Sequence, residues 1–345
     1  MNRMSKVIIT VILLLFIMLV IGSYFYTNMN YIKKPLIKMY KEGFTEKQIK
    51  LSDGTSLNYG EGPSNGKTPL LLIHGQGMTW EDYAKVLPKL SKHYHVYAVD
   101  CHGHGKSDWN AEKYTAQVMA EDFAEFIEVE IGKKTVLSGH SSGGMIAAWM
   151  AAHYPEIVLG TVIEDAPFFS TELDRRENTY VWVYSFQMYE DYKNQDEIKD
   201  YFAYSLKNSY WRKMFGEFLW NKFSKDAIKY HEKHPDEPVH LVYLPPKINR
   251  MFEAETYPFD RKFGEAFYDH SWFKDYNQTE ILSKITCPAI FLKANTTYDG
   301  TLLVAALSDE DADRVVNLLE HGKKLTLILP DMIFITINQK NLQIL

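Results

Sequence analysis

The sequence predicts an α/β fold: a doubly wound, mostly parallel sheet, interrupted by a helical insertion and preceded by an apolar N-terminal segment. Three observations carry this. Short apolar runs alternate with stretches of helical spacing from residue 70 to 163, and again from 289 to 329. Such alternation builds a parallel sheet with crossover helices. Between these stretches, residues 167–275 are rich in Tyr, Phe, Trp and Lys and poor in strand signals. Ahead of both, the run that starts at Val7 and ends at Tyr26 carries no charge.

That first run has the ~20 apolar residues a helix needs to cross a bilayer. Tyr24 and Tyr26 stand where interfacial aromatics are common. The alternative is a cleaved signal peptide, for which Ile21-Gly22-Ser23 is a weak cleavage site. The apolar run exceeds a usual signal core, so an uncleaved single-pass anchor is expected. Arg3 and Lys6 precede the run, while Lys33, Lys34, Lys38 and Lys41 follow it and pull the other way. The short basic N-terminus favours an extracytoplasmic main domain.

The remaining elements follow in order. Residues 48–51 and 56–59, joined by Asp53-Gly54, read as a β-hairpin. Residues 70–73, 96–99, 135–138 and 159–163 read as strands buried on both faces. Helices are expected over 79–92, through Trp80, Tyr83, Ala84, Leu87 and Leu90, and over 115–130 and 143–153. After the insertion come a strand at 289–293, a helix at 309–320 and a strand at 324–329. The expected organisation is a tail and anchor (1–30), a linker (31–45), a core (46–166 and 276–330), a helical cap (167–275) and an atypical tail (331–345). An insertion that starts at a strand's carboxyl end stands where ligands bind in such sheets. Its aromatics, in a chain that is 14% aromatic, suit an apolar cavity wall.

Composition excludes some classes. A net charge of −6 argues against a nucleic-acid partner. The two cysteines, Cys101 and Cys287, are too few for a disulfide framework and fall at opposite ends of the predicted sheet.

The chemistry centres on Gly139-His140-Ser141-Ser142-Gly143, between an apolar strand and a small-residue helix. A serine hydroxyl needs a base to take its proton and donors to hold an oxyanion. A sharp strand-to-helix turn presents the hydroxyl at the sheet edge, and crowding there demands Gly139 and Gly143. His74-Gly75-Gln76-Gly77 directly follows another buried strand and can supply a second backbone donor. The segment Gly103–Ser107 is not a phosphate loop, because Asp100 stands where a first glycine would be required. His102 and His104 lack the carboxylate or thiolate set of a metal site.

With LLLIHGQG, VYAVDCHGHGKSD and VLSGHSSGGMIAA, the chain resembles the α/β-hydrolase superfamily, in its helical-cap serine branch of esterases and proline-aminopeptidase-like enzymes. The resemblance covers roughly residues 46–329. It implies Ser141 as nucleophile, the N–H groups of Gln76 and Ser142 as oxyanion donors, and structural roles for His74, Gly75 and Asp100. It implies Asp299 as the acid that orients the base, with Asp165 as the alternative placement. Serine disfavours the epoxide-hydrolase and dehalogenase branches, which use aspartate as nucleophile.

The resemblance also implies a histidine base in the loop after the last strand. The tail PDMIFITINQKNLQIL contains none, and His321 precedes that strand. Back-translation of residues 330–340, read from the third base, can spell GHDIHYDKPK, a segment that would supply the base. The tail is therefore expected to be a frameshifted reading.

The function expected is hydrolysis of a carboxylic ester or similar acyl bond in an apolar, cap-lined pocket. The alternatives are a catalytically crippled product that lacks the histidine, and an aminopeptidase-like hydrolase. No cofactor and no metal are implied.

Overall fold

The computed structural model describes residues 3–64 and 66–326. Its strands are β1 (Thr45–Lys50), β2 (Ser56–Glu61), β3 (Pro69–Ile73), β4 (His95–Val99), β5 (Thr135–His140), β6 (Val158–Glu164), β7 (Ala289–Lys293), β8 (Tyr298–Asp299), β9 (Leu302–Leu303) and β10 (Gly322–Thr326). Its helices are α1 (Arg3–Asn30), α2 (Lys33–Lys41), α3 (Leu87–Leu90), α4 (Ala116–Phe126), α5 (Ser142–His153), α6 (Met188–Lys193), α7 (Tyr201–Asn208), α8 (Trp211–Lys233), α9 (Pro246–Thr256), α10 (Lys262–Tyr268), α11 (Gln278–Lys284) and α12 (Asp309–Leu318).

Among the described residues, eight strands form one sheet in the order β1-β2-β4-β3-β5-β6-β7-β10. The β1–β2 hairpin and the β2–β4 pairing are antiparallel. Every pairing from β4 across to β10 is parallel. The apolar runs are continuous because both faces are covered. Along β3, Leu71 and Ile73 join the cluster under α4 and α5, while Leu70 and Leu72 join the one under α2 and α3. All four are fully buried, and each such side chain stabilises the fold by about 1.5–3 kcal/mol.

Two predicted helices are interrupted. The segment 79–92 is a tight turn (Trp80–Lys85) followed by the short α3. Pro88 has no N–H for the helical ladder, and its ring opposes the carbonyl four residues back. The segment 115–130 begins on the Thr115 cap, leaves α-geometry at Ile127 and stops at left-handed Gly132. The last strand starts at Gly322, earlier than predicted. Residues 327–329 of the predicted strand and the tail 331–345 lie outside the described residues.

The chain leaves the sheet after β6, forms α6 to α10, and returns through α11 to β7. This helical insertion has a core of its own, built on Phe202, Leu206, Trp220 and Phe252. α1 is 28 residues long, apolar and exposed throughout most of its length, long and apolar enough to span a membrane. Cys101 follows β4 while Cys287 precedes β7, so parallel strands hold the two free thiols at opposite ends of the sheet.

Candidate active site

Ser141 closes β5 and opens α5 with φ 54° and ψ −121°, a conformation that L-residues rarely adopt. The turn is held from both sides. The Ser141 N–H donates to the Glu164 carbonyl at 2.8 Å, and its own carbonyl accepts from Gly144 N–H at 2.9 Å. The two predicted glycines are sterically required. A Cβ at Gly139 would lie 2.1 Å from the Gly143 carbonyl oxygen. A Cβ at Gly143 would lie 2.3 Å from the Ile73 carbonyl oxygen. Strand, helix and the loop after β3 therefore meet at backbone distance, and the serine side chain stands clear of them.

The loop after β3 is fixed by histidines. His74 is fully buried; its Nε2 accepts from Cys101 N–H at 2.9 Å and its Nδ1 donates to the Gly75 carbonyl at 2.8 Å. Burial pushes its pKa down to about 4, so it is neutral at pH 7. His104 accepts from Gly77 N–H at 3.0 Å, and burial lowers its pKa to about 3. Asp100 accepts from the N–H groups of Trp80 and Lys106 and from the Asn58 amide. These groups lock the strip that carries Gln76. Among the described residues, the N–H of neither Gln76 nor Ser142 donates to another protein group. Both residues face the same cavity as Ser141.

That cavity has a volume of about 340 Å³. Its floor is the sheet edge; its walls are insertion residues, including Tyr180, Trp182, Phe186, Trp211, Phe267 and Phe273. Some aromatic insertion residues form this wall, others the insertion's own core, and Phe168, Phe169, Phe263 and Trp272 pack into the main core. Two charged insertion residues also reach the wall. Arg176 stacks over Trp182, 3.8 Å from its centroid, and donates to the Tyr268 carbonyl. Glu255 also lines the cavity, with burial raising its pKa. Neither was foreseen, because only the folding of the insertion brings them over the serine.

The two candidate acids separate. Asp165 follows directly on Glu164, whose carbonyl holds the Ser141 amide, and it lines the cavity. Its φ is +45°, its Oδ1 accepts from Ala294 N–H at 3.0 Å, and burial raises its pKa. Asp299 lies on the β8–β9 hairpin, is exposed, and pairs with Lys213 at 3.2 Å; it does not line the cavity. The hairpin carries Asp299 onto Lys213 of α8, while Val304, Ala305 and Ala306 directly after it line the cavity.

Among the described residues, the histidine on the cavity wall is His140, immediately before Ser141. Burial lowers its pKa to about 4, and its Nδ1 has no hydrogen-bond partner. His321 lies at the opposite end of the sheet, where its carbonyl accepts from the first residue of β7.

Comparison with known proteins matches residues 68–243 to a family described as alpha/beta hydrolase fold. Mouse epoxide hydrolase 4 is 31% identical over 122 residues, 34% of this chain and 34% of that protein. The (E)-2-((N-methylformamido)methylene)succinate hydrolase of Acinetobacter baylyi is 34% identical over 115 residues, 32% of this chain and 42% of that protein. The matches thus span between a third and a half of these relatives' lengths. Among solved structures, a bacterial membrane phospholipase A superposes with a TM-score of 0.56 at 19% identity, covering 94% of this chain and 90% of that one.

Proposed function

Because the chain belongs to the α/β-hydrolase family, we propose that it is a serine hydrolase that cleaves a carboxylic ester or similar acyl bond through an acyl-enzyme on Ser141. One observation carries this reading: a strained Ser141 faces a cavity walled in part by aromatic side chains, beside two uncommitted backbone donors, Gln76 and Ser142. The Ser141 hydroxyl attacks the acyl carbon and gives its proton to a base. The carbonyl oxygen becomes an oxyanion, held by the two N–H groups. The leaving alcohol departs with that proton, and water then releases the acid from Ser141.

Asp165 is the better acid, because it shares the cavity with Ser141 and Asp299 does not. The base is the histidine of the Gly-His pair that opens the frame-restored segment GHDIHYDKPK in place of residues 330–340. The chain as written is then a crippled form, since losing a triad base costs several orders of magnitude. α1 serves as an uncleaved anchor with the remaining chain outside the cytoplasm. A narrower reading, an aminopeptidase-like hydrolase, draws support from Glu255, a carboxylate on the cavity wall that would pair with a substrate amine.

A fluorophosphonate probe tests the proposal. The frame-restored chain labels rapidly, and Ser141→Ala abolishes labelling. The chain as written labels slowly or not at all. Equal labelling of the two, or an intact reading frame through the tail in the gene and in the mass of the protein, would refute the frameshift. Retained labelling in Ser141→Ala would refute the nucleophile. Turnover of acyl esters against aminoacyl amides separates the two substrate readings.

A further inference from the structure

The anchor helix and the insertion are joined. Tyr24 Oη donates to the Tyr243 carbonyl at 2.9 Å. Asn28 Nδ2 donates to the carbonyls of Val242 at 3.1 Å and Leu244 at 2.9 Å. A cleft between α1 and Pro246 reaches down to Leu19 and Val20. Leu19 lies seven residues inside the apolar run that ends at Tyr26, about 10 Å along a helix. The insertion therefore touches α1 at and below the end of its apolar stretch.

The neighbouring surface is built for such a place. Tyr243 packs under Lys222, with Nζ 4.9 Å from its ring centroid, and its hydroxyl donates to Asp226. One turn earlier on α8 is Phe218, 82% exposed. Gly216, at φ 72° and ψ 156°, breaks the helix there and turns out a knuckle. Met214 and Leu219 on this knuckle are exposed too, as is Val242 on the adjoining loop. Lys222, Lys225 and Lys229 continue the exposed face beyond it. Exposed aromatic and aliphatic tips followed by lysines are the pattern of a surface that lies in the headgroup layer.

We propose that the α8 knuckle of Met214, Phe218 and Leu219 inserts into the same bilayer leaflet from which α1 emerges, with Lys222, Lys225 and Lys229 against anionic headgroups. This rests on reading α1 as a membrane anchor and is independent of catalysis. It has a consequence for the cavity: Trp211, on the first turn of α8, lines it. Trp211 and Met214 share the short helical segment ahead of the Gly216 break, and Phe218 and Leu219 follow it directly, so the cavity wall and the membrane-facing knuckle are adjacent along the chain.

Depth-dependent quenching on the full chain in vesicles of phosphatidylcholine with phosphatidylglycerol tests this. A small fluorophore is attached to Phe218→Cys, Ile12→Cys or Leu159→Cys in a Cys287→Ser background. Leu159 is exposed at the start of β6, at the far end of the sheet. Lipid-borne nitroxide is expected to quench positions 12 and 218 several-fold more than 159, and aqueous iodide the reverse. Position 218 behaving like 159 while 12 stays lipid-quenched would overturn the membrane surface alone. Position 218 shielded from both quenchers would point to a second copy of the chain and also overturn it. Position 12 quenched only by iodide would overturn the anchor and the surface together.

Discussion

At the carboxyl end of β5, every backbone group around Ser141 either has a partner or is left open towards the cavity. After β7 the chain instead makes a hairpin of two-residue strands, whose exposed acid Asp299 pairs with a lysine of α8. The first region belongs to the eight-stranded sheet and the second is a separate two-stranded hairpin, and only the first is over-determined. There, backbone meets backbone at distances that admit glycine alone. In the second, side chains at the surface are free to choose other partners. A side chain fixed by backbone crowding can be located from local sequence; one placed by a loop depends on where the loop goes.

The largest effect should come from the acids. In the frame-restored chain, Asp165→Asn is expected to lower kcat by about 10⁴-fold, the cost of disordering a triad base. Asp299→Asn should leave kcat within a few-fold, since a surface ion pair contributes ~0–1 kcal/mol. Steady-state kinetics on one ester decide it; the reverse ranking would move the acid back to the hairpin.

Next is the rigidity of the first region. Gly139→Ala should destabilise the chain by about 3 kcal/mol or more, because the new Cβ overlaps a backbone carbonyl that cannot withdraw. Thermal unfolding in detergent measures this. An unchanged midpoint would mean that the strand–helix crossing is looser than its geometry states.

The third prediction concerns Glu164, fully buried on β6, where it accepts from the Ser138 hydroxyl. Burial raises its pKa from 4.5 to about 7. Between those values the folded state keeps a proton that the unfolded chain releases. Its contribution is therefore favourable below the unfolded value and is lost as pH rises towards 7. The loss is on the order of 3 kcal/mol. Glu164→Gln, neutral at every pH, should flatten this slope and raise stability above pH 7 relative to the parent. Parallel pH profiles of the two would show the carboxylate to be solvated after all.

The site was legible where spacing alone forces geometry. Gly139, Ser141 and Gly143 were assigned from a strand–turn–helix pattern, and the turn forms there. The ranking of the two acids was not legible. Asp165 follows β6 and Asp299 comes after β7, and nothing local states that the hairpin carries Asp299 to Lys213. Arg176 and Glu255 were invisible for the same reason, since they reach the cavity through the packing of the insertion.

By itself, then, the sequence determined the layered α/β architecture, the apolar α1 and the strained turn at Ser141, because hydrophobic period and glycine sterics act within a few residues. Only the tertiary structure decided which acid shares a cavity with Ser141, which charges line that cavity, and that the insertion rests against α1. These are long-range contacts, fixed by how helices close over a sheet edge, and no local pattern encodes them.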